Sequence, residues 1–419
     1  MLLLLRRRVL LPILAFAAVV GPAFITANVD NDAPGIATYS VCGAEFGYSL
    51  LWLLWPTMIV LIVVQEICAR MGVATGKGLA DLIREEFGVR ITVLLMLLLV
   101  ITNLANTAGE FAGLAEAGLV FGISPHFAVP VGALLIWVLV VRGSYQSVER
   151  IFLVACLVYL AYPISGIMAM RDGPTTWGAV LKHSVEPSLS LDLPTLAMAV
   201  GIVGTTVAPW MQFYLQATVV EKGTRAPQYS YAKWDVILGG VFAIIVVFFI
   251  TLACAVAIHP KHITSAAQAA DALAPLAKGY ARTLFGFGLL NAALFAASIL
   301  PLSTAYAVCE GIGWEKGVSR SFRAAPQFYL LYTGLIVVGA GLVMFPRAPL
   351  LKIMLLSQIM NGLLLPVVLV LMLRLVSRRR LMGELTVSKT YLSLCWAIAA
   401  LLVALDFFLL ATTVAPRLH

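Results

Sequence analysis

Long apolar segments separated by short polar stretches run through almost the whole chain. Segments long enough to cross a hydrocarbon core of about 30 Å centre on 10–37, 48–70, 92–121, 127–141, 151–170, 193–219, 235–258, 283–309, 326–345, 350–373 and 391–412. This pattern predicts an all-α polytopic membrane protein with about eleven transmembrane helices. The segment at 127–141 is the shortest, so a count of ten stays open. No polar stretch could form a second domain, and residues 1–419 are predicted to be a single transmembrane domain.

Two of these segments are interrupted by residues that lipid does not tolerate. The first contains Asp-Asn-Asp-Ala-Pro-Gly at positions 30–35, and the sixth reads Gly-Ile-Val-Gly-Thr-Thr-Val-Ala-Pro-Trp at 201–210. Charges and unpaired backbone groups are costly inside a membrane, and they persist where they face a polar cavity or an ion. A pair of interrupted helices therefore predicts the substrate site of a transporter.

The two interrupted helices are five spans apart, which predicts an internal repeat. An odd number of spans inverts the second copy, so helices 1–5 (about 10–170) and helices 6–10 (about 193–373) would form a 5+5 inverted repeat. Helix 11, at about 391–412, is then appended. In this arrangement the breaks in helices 1 and 6 meet near the middle of the bilayer.

Composition and charge support a membrane protein and exclude other classes. Hydrophobic residues make up 61% of the chain, charged residues 11%, and the mean hydropathy is +0.99, far outside the soluble range. Most basic residues fall in loops that share one side, which predicts a multi-pass cell (plasma or inner) membrane protein with a cytoplasmic N-terminus. The net charge of +8 thus reflects topology. Because the basic residues are spread over short loops, nucleic acid is not expected as a partner.

Several motifs resemble those of the natural resistance-associated macrophage protein (Nramp) family of divalent-metal transporters. The most specific is Ala-Arg-Met-Gly-Val-Ala-Thr-Gly-Lys-Gly-Leu-Ala at 69–80, supported by Ala-Glu-Phe-Gly-Tyr at 44–48, Glu110-Phe111 and the Pro209 break. The resemblance implies a LeuT-type fold that works by alternating access around a metal site between helices 1 and 6. It also implies that the helix 1/6 unit rocks against a scaffold of helices 3, 4, 8 and 9.

The resemblance also implies the metal ligands, and here the chain departs from the family pattern. The helix 1 motif Asp-Pro-Gly-Asn keeps its aspartate as Asp32, but Gly35 replaces the asparagine. The helix 6 motif Ala-x-x-Met-Pro-His becomes Thr205 to Trp210, with Ala208 in place of the methionine. On this basis the predicted metal site comprises Asp32, Asp30, Gly35, Thr205, Ala208 and Gln358, the last from helix 10, with Gly35 and Ala208 acting through their carbonyls.

Loss of the thioether changes the expected substrate. Methionine sulfur favours transition metals, whereas oxygen donors suit hard cations such as Mg²⁺. A site made of oxygen donors, widened by glycine and alanine, fits a partly hydrated Mg²⁺. We therefore expect a Mg²⁺ transporter, most like the Nramp-related magnesium branch, with Mn²⁺ as a plausible second substrate.

Proton coupling is not expected from the sequence, because every histidine falls in a predicted loop or at the C-terminus. Trp210 and Thr107 stand where the family carries histidine and aspartate. Glu110 is interpreted as a paired structural acid, with contact to an ion path as the less favoured alternative. An inward-negative potential supplies about 2.3 kcal/mol per charge per 100 mV, so a divalent cation needs no coupling ion.

Other functions stay in view as alternatives. One is a proton-coupled Mn²⁺/Fe²⁺ transporter; a less favoured one is an ion-coupled symporter of amino acids or other organic solutes, because two acids at the break would repel a substrate carboxylate. An enzyme is not expected, since no nucleophile–base set or HExxH motif is present. No cofactor is expected besides the transported cation, the other partner is the lipid bilayer, and the protein is expected to be a monomer.

Overall fold

The protein is described by a computed structural model over residues 31–142, 160–172, 175–273, 281–317, 320 and 322–414. These residues form helices joined by short connections, in accordance with the all-α prediction. The helices are α1 (Ala33–Phe46), α2 (Leu54–Thr75), α3 (Leu79–Phe87), α4 (Val89–Val120), α5 (Pro125–Val141), α6 (Ala161–Asp172), α7 (Trp177–Val185), α8 (Leu193–Thr206), α9 (Pro209–Glu221), α10 (Tyr229–Ala257), α11 (Ala281–Ile312), α12 (Pro326–Val343), α13 (Leu350–Val376) and α14 (Lys389–Val414).

Most predicted spans are matched by helices of the right length and character. Within the described residues, 8 helical stretches are long and apolar enough to cross a membrane, counting α8 and α9 together as one. The span predicted at 127–141 is the shorter apolar helix Pro125–Val141. Helices α1 and α6 are the described parts of the first and fifth predicted spans. The connections between the fifth and sixth and between the seventh and eighth predicted spans contain additional short helices, including α7.

Helix α1 continues well beyond the end of the first predicted span. The apolar run was expected to end at residue 37, whereas α1 ends at Phe46. Every residue from Ala33 to Ala44 is buried, including Thr38 and Ser40. Because this helix contacts other helices and not lipid, it carries polar residues that a hydropathy pattern places in a loop.

Helix 6 is interrupted at the position that the sequence predicts. Helix α8 ends at Thr206, Val207 leaves the helical conformation with φ −125° and ψ 52°, and Ala208 is the extended residue before α9. Pro209 begins α9, where its missing N–H costs no hydrogen bond. The break thus exposes the carbonyl end of one half-helix and the N–H end of the next within a buried region.

The longest helices pack around α4. Its most extensive contacts are with α11 and α13, and it also packs against α12 and α5. Helices α4, α5, α11 and α12 correspond to helices 3, 4, 8 and 9, the set expected to form the scaffold. Helix α1 packs between α10, α13 and α4, next to α8. Helix α1 therefore contacts the scaffold directly at α4, whereas α8 packs against α13, which itself packs on α4.

The glycine-rich motif at 76–78 connects α2 and α3 to two other parts of the bundle. Gly76 takes a left-handed conformation (φ 64°) at the end of α2. Gly78 lies so close to the Glu310 carboxylate that a side chain would overlap it, and the Glu310 Oε1 atom accepts from the Asp81 N–H at 3.2 Å. Gln216 of α9 donates to the Lys77 carbonyl at 2.9 Å. Through close packing and these hydrogen bonds, the motif and the start of α3 are held against α11 and α9.

Helices α8 and α13 lie so close together that one methyl group added between them should lower the stability of the protein. A Cβ at Gly204 would lie 2.8 Å from the Gly362 Cα atom and would also overlap the Gln358 carbonyl. Overpacking of this kind costs about 1–3 kcal/mol, so Gly204→Ala should lower the midpoint of thermal unfolding in detergent by about 3 °C or more. The matched control is Gly334→Ala in α12, where nothing lies within 4 Å of the added carbon. An equal midpoint for both variants would contradict the contact.

Candidate metal site

Asp32 lies directly at the start of α1 and is held there by its own helix. Its backbone is extended (φ −70°, ψ 172°), and its Oδ1 atom accepts from the Gly35 N–H at 2.6 Å. Pro34 occupies the first turn, where proline favours helix initiation. The side chain is largely buried, at 7% exposure for the residue. A carboxylate is therefore fixed at the positive end of the helix dipole, inside the bundle.

Glu110 of α4 lies beside Asp32, which the sequence did not predict. Glu110 is fully buried, and its Oε2 atom accepts from the Ala33 N–H at 3.4 Å. Its carboxyl group therefore lies next to that of Asp32, the residue that precedes Ala33 in the chain. Two carboxyl groups can share such a contact when one proton or one cation lies between them. The interpretation of Glu110 as a paired structural acid is thus refined, because its partner is the main predicted ligand.

Small residues allow this approach between α1 and α4. A Cβ at Gly109 would lie 2.9 Å from Pro34 and 2.9 Å from the Ser357 hydroxyl, and one at Gly113 would overlap Ala33. The two glycines are one helical turn apart, with Glu110 between them in sequence. The start of α1 therefore rests on α4 at closer range than side chains would allow.

Helix 6 contributes Thr205 and Ala208 at the second break. The Thr205 hydroxyl is buried and has no hydrogen-bond partner among the described residues, so it can accept a ligand. The Ala208 carbonyl accepts from the Met211 N–H at 3.1 Å and the Gln212 amide at 3.2 Å. The next hydroxyl, that of Thr206, is hydrogen-bonded to the Tyr39 hydroxyl of α1 at 2.7 Å, which joins α1 to α8.

Gln358 of α13 is buried near the α8 end of this break and is held by neighbouring polar groups. Its amide donates to Ser357 Oγ at 3.1 Å, and its Oε1 atom accepts from Asn361 at 3.0 Å. Asn361 and Asn106 of α4 exchange two amide hydrogen bonds of 2.7 and 3.0 Å. Gln358 is thus the end of an amide chain that reaches from α13 to α4.

The structure does not show Gly35 or Asp30 as a metal ligand. Gly35 lies in the first turn of α1 and gives its N–H to Asp32, so its observed role is in the helix cap. Asp30 lies outside the described residues. Across the part of the chain that the structure describes, no group of three or more His, Cys, Asp or Glu side chains could hold a metal. Any cation here would need hydroxyl, amide or carbonyl oxygens, or water, beside the two carboxylates.

A cavity of about 450 Å³ leads toward this region from the end of the bundle where α1 ends. Thr38, Gly201 and Ile359 line it, together with Glu45 and Glu116 nearer the helix ends. Gly201 is one turn from Thr205, and the Thr38 hydroxyl donates to the Pro34 carbonyl at 2.8 Å. The cavity thus reaches within about one helical turn of Pro34, at the start of α1, and of Thr205, at the end of α8, with the carboxylates of Glu45 and Glu116 along its wall.

At the opposite end of the bundle, a cluster of polar side chains around Glu66 of α2 joins three helices. Its carboxylate accepts hydrogen bonds from Arg70, Tyr229 and Tyr391, and the Arg70 Nη2 atom lies 2.7 Å from it. The Arg70 guanidinium also lies over the rings of both tyrosines. This cluster ties α2 to α10 and α14 at the end of the bundle remote from the 450 Å³ cavity.

The chain has the fold of solved LeuT-type transporters. It is similar to a manganese transporter of Eremococcus coleocola, which was solved in complex with an aromatic bis-isothiourea substituted compound. The TM-score is 0.77 at 20% sequence identity, and the match covers 95% of this chain and 86% of that chain. It is also similar to Mhp1, a nucleobase-cation-symport-1 family transporter solved in a closed conformation with bromovinylhydantoin bound, with a TM-score of 0.60 at 15% identity, covering 95% and 92%.

The family model described as natural resistance-associated macrophage protein-like matches residues 23–412. The chain therefore belongs to the Nramp family, which confirms the resemblance drawn from its motifs. Divalent metal transport across the membrane follows from this membership.

Proposed function

We propose that this Nramp-family protein carries Mg²⁺, and also Mn²⁺, by alternating access, driven by the membrane potential without proton coupling. The observation that supports the choice of Mg²⁺ is the donor chemistry at the two breaks. Asp32 and Glu110 present carboxylates and Thr205 presents an unpartnered buried hydroxyl, while Ala208 stands where the family has a thioether. Oxygen donors suit hard cations, and Mg²⁺ is commonly bound by one or two carboxylates with several waters kept.

The proposed ligand set is Asp32, Thr205 and Gln358, with Glu110 as a second carboxylate. Two ionised carboxylates together balance the charge of one divalent cation, which would remove the repulsion between them. Gln358 could join once its Oε1 atom exchanges Asn361 for the cation. Asp30, Gly35 and the carbonyl of Ala208 remain proposed contributors.

The proposed orientation places the N-terminus and the basic loops in the cytoplasm of a cell-membrane protein. Three loops that carry basic residues lie together at one end of the bundle, because Glu86 pairs with Arg378 and Arg380, Glu310 pairs with Lys316 at 2.6 Å, and Glu310 also accepts from the Asp81 N–H. Basic residues gathered at one end fit the positive-inside rule. The 450 Å³ cavity would then face outward. We propose that the protein works as a monomer.

A proton-coupled carrier of transition metals is the second candidate. The contact between Asp32 and Glu110 favours it, because a proton held between two carboxyl groups would be displaced by an arriving cation. The absence of histidine from the predicted spans and the Thr107 hydroxyl, which is bonded to the Asn103 carbonyl, favour the uncoupled mechanism. The two candidates differ in whether cation entry moves protons.

A transport assay with purified protein in liposomes distinguishes the uncoupled carrier from the proton-coupled one. Mg²⁺ uptake, followed with an internal indicator at a fixed inside-negative potential, is expected to saturate and to change less than about twofold when an inward proton gradient is added. An internal pH dye should record no Mg²⁺-dependent acidification. Protein-free liposomes are the control, and Mn²⁺ should compete with Mg²⁺. Acidification that follows cation uptake would replace the proposal with the proton-coupled candidate.

A further inference from the structure

A groove with wholly apolar walls runs along the membrane-facing side of α4 and α13. Its volume is about 370 Å³, and its walls include Ile91, Leu94 and Leu98 of α4, Val367 and Val370 of α13, and Val403 of α14. Leu94 is 59% exposed and Val403 48% exposed. The groove therefore opens on the surface that lipid covers, next to Pro366 in the interior of α13.

Two arginines stand at one end of this groove. Gly109 of α4 lies near Ser357 of α13, whereas Ile91, nearer the start of α4, lies near Leu371, further along α13. The two helices are therefore antiparallel, and Arg90 and Arg374 lie at the same end. Arg90 is one turn from Leu94, and Arg374 is one turn from Val370, so each continues the face that lines the groove.

These arginines, unlike Arg378 and Arg380, have no counter-charge among the described residues. Both are exposed, and neither forms an ion pair with any part of the chain that the structure describes. Arg378 and Arg380, a turn further along, both pair with Glu86, and Arg378 also lies over the Phe87 ring. Positive charge is thus left uncompensated at the mouth of the apolar groove.

We propose that this groove binds an anionic diacylphospholipid, with an acyl chain along α4 and α13 and the phosphate between Arg90 and Arg374. Basic pockets at the ends of transmembrane helices are suited to anionic headgroups, and guanidinium groups match phosphate geometry. A second copy of the chain is a poor occupant, because a twofold interface would bring this patch against itself and oppose like charges. The site is separate from the metal path, since Glu110 of α4 and Gln358 of α13 lie on the buried faces of these helices, away from the exposed groove.

Native mass spectrometry of the full chain in detergent can measure this binding. The probes are phosphatidylglycerol and phosphatidylcholine with identical acyl chains, titrated onto delipidated protein. We expect one phosphatidylglycerol to bind about tenfold more tightly than phosphatidylcholine. The double variant Arg90→Gln/Arg374→Gln should abolish this preference. Val370→Trp, which fills the groove, should weaken both lipids together.

Arg323→Gln is the matched control, because Arg323 is exposed at the segment preceding α12 and lies outside the groove. It should keep the full preference for phosphatidylglycerol. If the double variant does not fold, each single variant should lose about threefold in affinity. Equal binding of both lipids to the unmodified protein, or an unchanged preference in the arginine variants, would overturn the proposal. A dimer that Val370→Trp dissociates would instead assign the groove to a second copy.

Discussion

Replacing Asp32 with asparagine is expected to reduce Mg²⁺ uptake into proteoliposomes by about a hundredfold or more. Asparagine caps a helix about as well as aspartate, so the hydrogen bond to the Gly35 N–H and the start of α1 should be kept. The negative charge facing the cation is lost. Removing one partner from a buried charge pair costs about 3–5 kcal/mol, which corresponds to at least a hundredfold loss of binding.

Asp192→Asn is a matched control for Asp32→Asn. Asp192 caps α8 by the same geometry, accepting from the Thr195 N–H at 2.9 Å, but it lies at the exposed end of that helix. Its hydrogen bonds to Ser190 and Thr195 lower the pKa of its carboxyl group, so it is ionised at neutral pH. Uptake by this variant should stay within about twofold of the original. Comparable uptake by both variants would mean that Asp32 is only a helix cap.

Replacing Ala208 with methionine is expected to shift selectivity from Mg²⁺ toward softer metals. The change restores a thioether at the break in helix 6, and sulfur favours transition metals over Mg²⁺. We expect the ratio of Mn²⁺ to Mg²⁺ uptake to rise by about tenfold or more, and Cd²⁺ to become a strong competitor. Uptake of both metals by the same proteoliposomes measures this ratio directly.

Ala208→Leu controls for the size of the new side chain. Ala208 is 2% exposed, so a larger residue will narrow the site whatever its chemistry. Leucine and methionine have similar volumes, but leucine offers no donor atom. A leucine variant that slows both metals while leaving their ratio unchanged would support the role of sulfur. If both variants change the ratio equally, size and not donor chemistry sets selectivity.

The helices and the candidate break sites were largely predictable from the sequence because their causes are local. Long apolar runs indicate spans, and proline and glycine mark where the sixth helix is interrupted at Val207. Family motifs added Asp32, Thr205, Ala208 and Gln358 as candidate ligands. The end of α1 at Phe46 was missed, since its polar residues Thr38 and Ser40 are buried against other helices rather than exposed at a membrane surface.

By itself, then, the sequence determined the all-helical class, the family and the position of the break in helix 6. The part of the first predicted span before residue 31 lies outside the described residues. Only the tertiary structure decided which polar groups meet. Glu110 reaches Ala33 across 77 residues of chain, and Asn106 reaches Asn361 across 255. Hydropathy and helix propensity depend on near neighbours, whereas these contacts depend on how α4 packs against α1 and α13 through residues such as Gly109. The second carboxylate beside Asp32 was therefore found from packing, not from its place in the chain.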